Sequence, residues 1–182
     1  MDRLRKTVLL THLIEGLCER GNWCGETHVQ KTAFFVQELM GVPLEFRFIL
    51  YKHGPFSFDL RNELTALRAN GMLGFEPRSY GAQLVLNKDQ CEYIQSFYPY
   101  TLKRYEKNID FVTEKLGGKR VVELERLATA FYVGKRSGEG ESVNSRARKV
   151  TELKPHITIE KAREAVREVD HVVSASEKVK AI

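Results

Sequence analysis

The stretch LYKHGPFSFDL, Leu50 to Leu60, sits where an apolar run, FRFILY, meets a His-Gly-Pro-Phe-Ser turn with a helix opening directly behind it. Such a corner can be the lip of an active site, the turn of a DNA-reading motif, or a well-made structural bend. Upstream, Glu45 to Tyr51 alternates as Phe46, Phe48 and Leu50 against Glu45, Arg47 and Ile49, a period of two that predicts a strand. Gly54-Pro55 then breaks it, because Gly54 permits a tight path while Pro55 has a fixed φ and no amide donor. Ser57 or Asp59 can cap the next helix, in which Leu60, Leu64 and Leu67 share a face before Asn70-Gly71 ends it.

Working outward, Leu9, Leu10, Leu13, Ile14 and Leu17 predict a first helix over Leu4 to Arg20. Val29, Ala33, Val36 and Met40, with Phe34, Phe35 and Leu39, predict a second helix whose apolar face is wide enough to need several neighbours. Beyond the third helix, MLGFEP and AQLVLN read as two short strands joined by RSYG, a hairpin. Helix, helix, strand, helix, hairpin is the order of a winged-helix domain with an extra strand inserted between its second and third helices.

From Tyr98-Pro99 onward the pattern is helical. Leu102, Tyr105, Ile109, Val112 and Leu116 keep helical spacing up to Gly117-Gly118, and Leu124, Leu127, Ala128 and Phe131 do so within Val121 to Val133. Val143, Ala147 and Val150 mark a short helix after the loop GKRSGEGESVNS, and Thr158 caps a last one through Val173. The expected fold is mainly α within an α+β class. It comprises a winged-helix-like domain over residues 1–97, with the inserted strand and a hairpin wing, and a helical extension over residues 98–182.

With 182 residues, 42% of them hydrophobic, the chain can bury a substantial core. No apolar run approaches a membrane span, and Met1 to Arg20 lacks the pattern of a signal peptide, so the expected compartment is the cytoplasm, with Cys18, Cys24 and Cys91 as free thiols. The net charge of +5 is spread along the chain, which suits a solvated surface about as well as a phosphate-binding face.

Catalytic signatures are sparse. His12, Cys18, Cys24 and His28 lack the short chelating spacing of a zinc site. His53, Ser57 and Asp59 have the residue types of a hydrolytic triad, but within seven residues of one turn they are poorly placed to act as base, nucleophile and orienter. No phosphate-cradling glycine loop or dinucleotide fingerprint occurs. The expectation is a non-enzyme with no cofactor, no metal and no small-molecule substrate. For DNA, the third helix would present Arg61, Asn62, Thr65, Arg68 and Asn70, with Arg78, Ser79 and Tyr80 at the wing tip, although Asp59 and Glu63 neutralise the two helix arginines.

Residues 28–73 carry Gln30-Lys31 before an aromatic helix with Phe34 and Phe35, then Tyr51-x-x-Gly54-Pro55, then Ser57-x-x-Leu60, then Asn70-Gly71 before a strand. In these features the chain resembles the YwgA-like family and, more distantly, the Panacea domain of SocA-like antitoxins. The segments VVELERLATAFYVGKR and VTELKP extend the likeness loosely into the helical half. The resemblance implies a winged-helix-like fold with a helical extension, and a protein-binding or adaptor role rather than a reaction. The apolar stripes of Leu102 to Leu116 and of a final helix with Ala162, Val166, Val169 and Val173 exceed what one small domain needs, so the expected partner is another protein or a second copy of this chain, with DNA as the alternative. The structural motif is Tyr51, His53, Gly54, Pro55 and Ser57, of which His53 has no role assignable from sequence.

Overall fold

The computed structural model describes residues 1–20, 24–78, 81–138 and 140–180. The Arg78 side chain, Ser79 and Tyr80, expected at the wing tip, lie outside the described residues. Among the described residues the chain is mainly helical, with eight helices and two small antiparallel hairpins. None of these helices is long and apolar enough to cross a membrane.

Helix α1 (Arg3–Glu19) starts at Asp2, whose carboxylate accepts from the Arg5 amide. Helix α2 (Glu26–Glu38) buries nine consecutive residues, His28 to Val36, so it is enclosed on all sides. Its neighbours include α1, the third helix, two helices of the C-terminal half and a strand, as its broad apolar face requires. Phe34 and Phe35 anchor it: Phe35 stacks on Phe131 at 5.0 Å, and Phe34 meets Phe131 edge-on at 5.6 Å.

The expected strand over Glu45 to Tyr51 is shorter than its alternation predicts. Strand β1 covers only Ile49–Tyr51 and pairs with β2 (Gly54–Phe56), so Gly54-Pro55 forms a second strand instead of ending the first. Two side chains explain the shortening. Gln37 satisfies both backbone groups of Phe46, donating to its carbonyl at 2.9 Å and accepting from its amide at 2.8 Å. Asp59 accepts from the Arg47 amide at 3.3 Å. A backbone already satisfied by side chains has no need of a ladder.

Helix α3 (Phe58–Ala69) is capped by Ser57, whose hydroxyl accepts from the Leu60 amide, and it buries Leu60, Leu64 and Leu67. Strands β3 (Leu73–Arg78) and β4 (Gly81–Leu86) form the expected hairpin. It docks through buried Leu73 and Leu84 and through the Leu84 amide, which donates to the Cys24 carbonyl at 2.8 Å.

Helix α4 (Lys88–Phe97), capped by Asn87, was not expected. It buries only Cys91, and so shows little apolar periodicity to read. Helices α5 (Pro99–Leu116), α6 (Val121–Gly134), α7 (Val143–Leu153) and α8 (Ile159–Lys180) follow, the last running seven residues past Val173. The apolar core is continuous across both halves, from Leu9 and Phe35 to Leu127 and Val166.

Gly54 has φ +84°, and a Cβ there would lie 3.1 Å from Thr129 Oγ1 and 3.4 Å from the Glu125 carbonyl. Gly54→Val is therefore expected to destabilise the fold by roughly 2 kcal/mol or more. Chemical denaturation checks this, and a variant as stable as wild type refutes the close packing of β2 on α6.

Candidate functional site around the first hairpin

Three helices, α2, α6 and the end of α7, converge on the β1–β2 hairpin. From α2, Gln30 makes a reciprocal pair with Ser57, donating to its carbonyl at 3.0 Å and accepting from its amide at 2.9 Å. The next residue, Lys31, is 1% exposed, and its ammonium donates to the Pro55 carbonyl at 2.8 Å. From the end of α7, the Lys154 ammonium donates to the Tyr51 carbonyl and, at 2.6 Å, to the Lys52 carbonyl. Helix α6 contributes Glu125, whose carboxylate is buried beneath His53 and His156.

These contacts show why lysine serves inside the fold. Hairpin carbonyls buried against the helices need donors, and a long side chain with a terminal ammonium supplies them from a neighbouring helix. The cost is electrostatic. Burial is the main reason the Lys31 amine is pushed down to about 8; Glu125 opposes that shift and Lys154 adds to it. Burial likewise lowers the Lys154 amine, again opposed by Glu125.

The carboxylate is less well served. His156 Nε2 lies 3.2 Å from Glu125 Oε1, yet among the described residues that oxygen accepts no hydrogen bond; His53 Nδ1 stands 3.6 Å from Oε2, beyond hydrogen-bond length. Both histidine side chains are more than half exposed.

Beside the hairpin a cleft of about 260 Å³ is lined by Gln30, Lys31, Tyr51, His53, Phe56 and Arg61, with Glu26 and Thr27 at the start of α2. On the hairpin and the start of α3 the rings of Tyr51, Phe56 and Phe58 touch one another, with centroids 5.1 to 5.9 Å apart.

The structural-motif residues Tyr51, His53, Gly54, Pro55 and Ser57 are thus all at this site. The triad types diverge: Ser57 caps α3, Asp59 holds the Arg47 amide, and His53 turns to Glu125. His12 pairs with Asp110 and His28 contacts the Lys119 carbonyl, and among the described residues no group of His, Cys, Asp and Glu is arranged to hold a metal ion. On α3, Arg61, Asn62 and Arg68 are exposed. Arg61 stands 3.9 Å from Glu26, and Arg68 lies over the Phe75 ring at 4.0 Å.

Sequence reading did not single out Glu125, Lys154 or His156. A charged residue on a helix or in a loop ordinarily reads as solvated, and only the segments sharing the family resemblance, which contain Glu125 and Lys154, pointed toward them. No family model matches the chain, and no curated protein matches it.

The depressed Lys31 amine has a measurable consequence. In the unfolded chain it titrates near 10.5 and in the folded chain near 8, so between those values the unfolded state binds more protons. This group therefore makes folding more favourable as pH rises through that window, by up to ~3 kcal/mol, and its cost is fully present below it. Denaturation of wild type and Lys31→Met at about pH 7 and about pH 10.5 is expected to show wild type gaining on the variant as pH rises. Parallel profiles would contradict a buried ammonium.

Proposed function

We propose that the protein is a non-catalytic regulatory module of the cytoplasm, with a winged-helix-like N-terminal part, that binds another protein or a second copy of itself through the first hairpin. The observation that carries this reading is the aromatic ridge. Ile49 and Tyr51 lie on one face of β1, Phe56 is paired opposite Ile49, and Phe58 follows at the start of α3. Ile49, Tyr51 and Phe58 are 44%, 54% and 47% exposed. A cluster of exposed rings costs solvation when left open and is a common centre of protein interfaces.

The scaffold beneath supports the same reading. Lys31, Lys154 and the Gln30–Ser57 pair fix the hairpin backbone, so little entropy remains to be lost when a partner docks. Membership of the YwgA-like or Panacea groups is part of the proposal. Its support is that the motif residues Gln30, Lys31, Gly54, Pro55 and Ser57 lie in mutual contact, a physical reason for them to occur together.

Tyr51→Ala with Phe58→Ala is expected to keep wild-type stability within about 1 kcal/mol. The pair is also expected to abolish a discrete partner captured from native-host extract, or a dimer seen by size exclusion with light scattering. Capture or dimerisation that survives both substitutions counts against the ridge.

The second reading is DNA binding through α3 and the β3–β4 wing, favoured by the exposed polar stripe Arg61, Thr65 and Arg68 with Asn62 beside it. Under it, gel shifts of genomic fragments weaken steeply with salt, and Arg61→Ala and Arg68→Ala each reduce the salt slope by about 1. No shift at low salt with micromolar protein would end that reading.

A further inference from the structure

We infer that the cleft beside the first hairpin is a binding site for a compact organic anion, a carboxylate or phosphate monoester with a planar apolar body. The charged end would meet Lys31 and Arg61, and the body would lie against Tyr51 and Phe56. This goes beyond the protein-interaction reading, which uses the outer aromatic ridge and requires no small molecule.

The first argument is charge. Lys31, Lys154 and Glu125 are 1%, 6% and 7% exposed, and together they put two ammoniums against one carboxylate in the same buried region. A surplus buried charge is unfavourable unless a counter-charge is supplied. Lys154 directs its ammonium to two hairpin carbonyls, whereas Lys31 has one carbonyl acceptor and lines the cleft. An ammonium has three donors, so an oxyanion in the cleft can take what Pro55 leaves.

The second argument is the shape and chemistry of the walls. Arg61 is exposed at the mouth, and at 3.9 Å from Glu26 its guanidinium is beyond hydrogen-bond length from that carboxylate. It can therefore turn its planar fork to an oxyanion. His53 lies on the same wall and adds a further donor. Tyr51 and Phe56, with ring centroids 5.7 Å apart, supply an apolar surface for a flat group. The volume of about 260 Å³ lies just under the roughly 300 Å³ from which small-molecule clefts usually start, which selects a compact ligand.

The low basicity of Lys31 agrees with this arrangement, since a buried amine lacking a full counter-charge holds its proton weakly. Glu125 from α6 and Lys154 from the end of α7 act on it directly, and His53 from the hairpin, Arg61 from α3 and Glu26 from α2 itself line the same cleft.

The test is an amide-resolved NMR titration of the full chain with phenyl phosphate, benzoate and uncharged benzyl alcohol. Expected are saturable shifts for either anion at Gln30, Lys31, Tyr51 to Phe56 and Arg61, with benzyl alcohol at least tenfold weaker. Arg61→Gln, an exposed change that leaves the core intact, is expected to weaken the anion about tenfold. Lys31→Met is expected to abolish saturation, and Tyr51→Ala, which removes one ring of the cleft wall, is expected to weaken it while retaining folded spectra. Equal binding of anion and alcohol, absence of saturation by both anions, or saturation untouched by Arg61→Gln would each overturn the site. Saturation by a glutamate-rich peptide but by neither small anion would overturn it in favour of an acidic protein segment. Because partner capture through the ridge is measured separately, loss of one reading leaves the other standing.

Discussion

The buried ammonium of Lys31 on the Pro55 carbonyl is the contact around which the rest of the N-terminal half is arranged. It comes from the centre of α2, a helix enclosed on every side, and reaches the Pro55 carbonyl of β2. Its neighbour Gln30 holds both backbone groups of Ser57, the residue that caps α3. Two adjacent side chains therefore set where the hairpin ends and where the next helix begins. The reading frame of the ridge, with Ile49, Tyr51 and Phe56 outward, follows from that placement, because a one-residue slip in a strand reverses every side chain.

The same solution creates the electrostatic character of the site. Using lysine from α2 and again from the end of α7 to satisfy hairpin carbonyls brings two positive charges inside, and α6 answers with only one carboxylate. That carboxylate lies under two exposed histidines, without a hydrogen bond to Oε1 among the described residues. An apolar hairpin seat would have been cheaper in solvation. Charged groups satisfied in this way hold the hairpin backbone in one arrangement.

The arginines of α3 show how local context changes the meaning of a residue type. In isolation, Arg61 and Arg68 look alike on a polar helix face. In the fold Arg68 covers the Phe75 ring of the β3–β4 hairpin, shielding apolar surface, while Arg61 stands at the mouth of the cleft near Glu26. One packs the hairpin against its helix, and the other stays exposed beside the cleft.

By itself the sequence determined those features that depend on neighbours along the chain. Ser57 as a cap, the β3–β4 hairpin, and the helices with a strong apolar stripe were readable because capping, turn chemistry and periodicity act over a few residues. The shortened β1, the existence of β2 and helix α4 were less legible: Gln37 and Asp59 satisfy the backbone before β1 from elsewhere, and α4 buries a single residue. The hairpin corner from Tyr51 to Ser57 was legible, but the charged cluster beneath it was decided by tertiary structure. Lys31, His53, Glu125, Lys154 and His156 come from four separate elements and the loop after α7, and nothing in the spacing of a lysine or a glutamate reveals that its charge will be buried. Only chain packing turns Lys31 away from water, because the cost of burying an ammonium is met by a carbonyl 24 residues away.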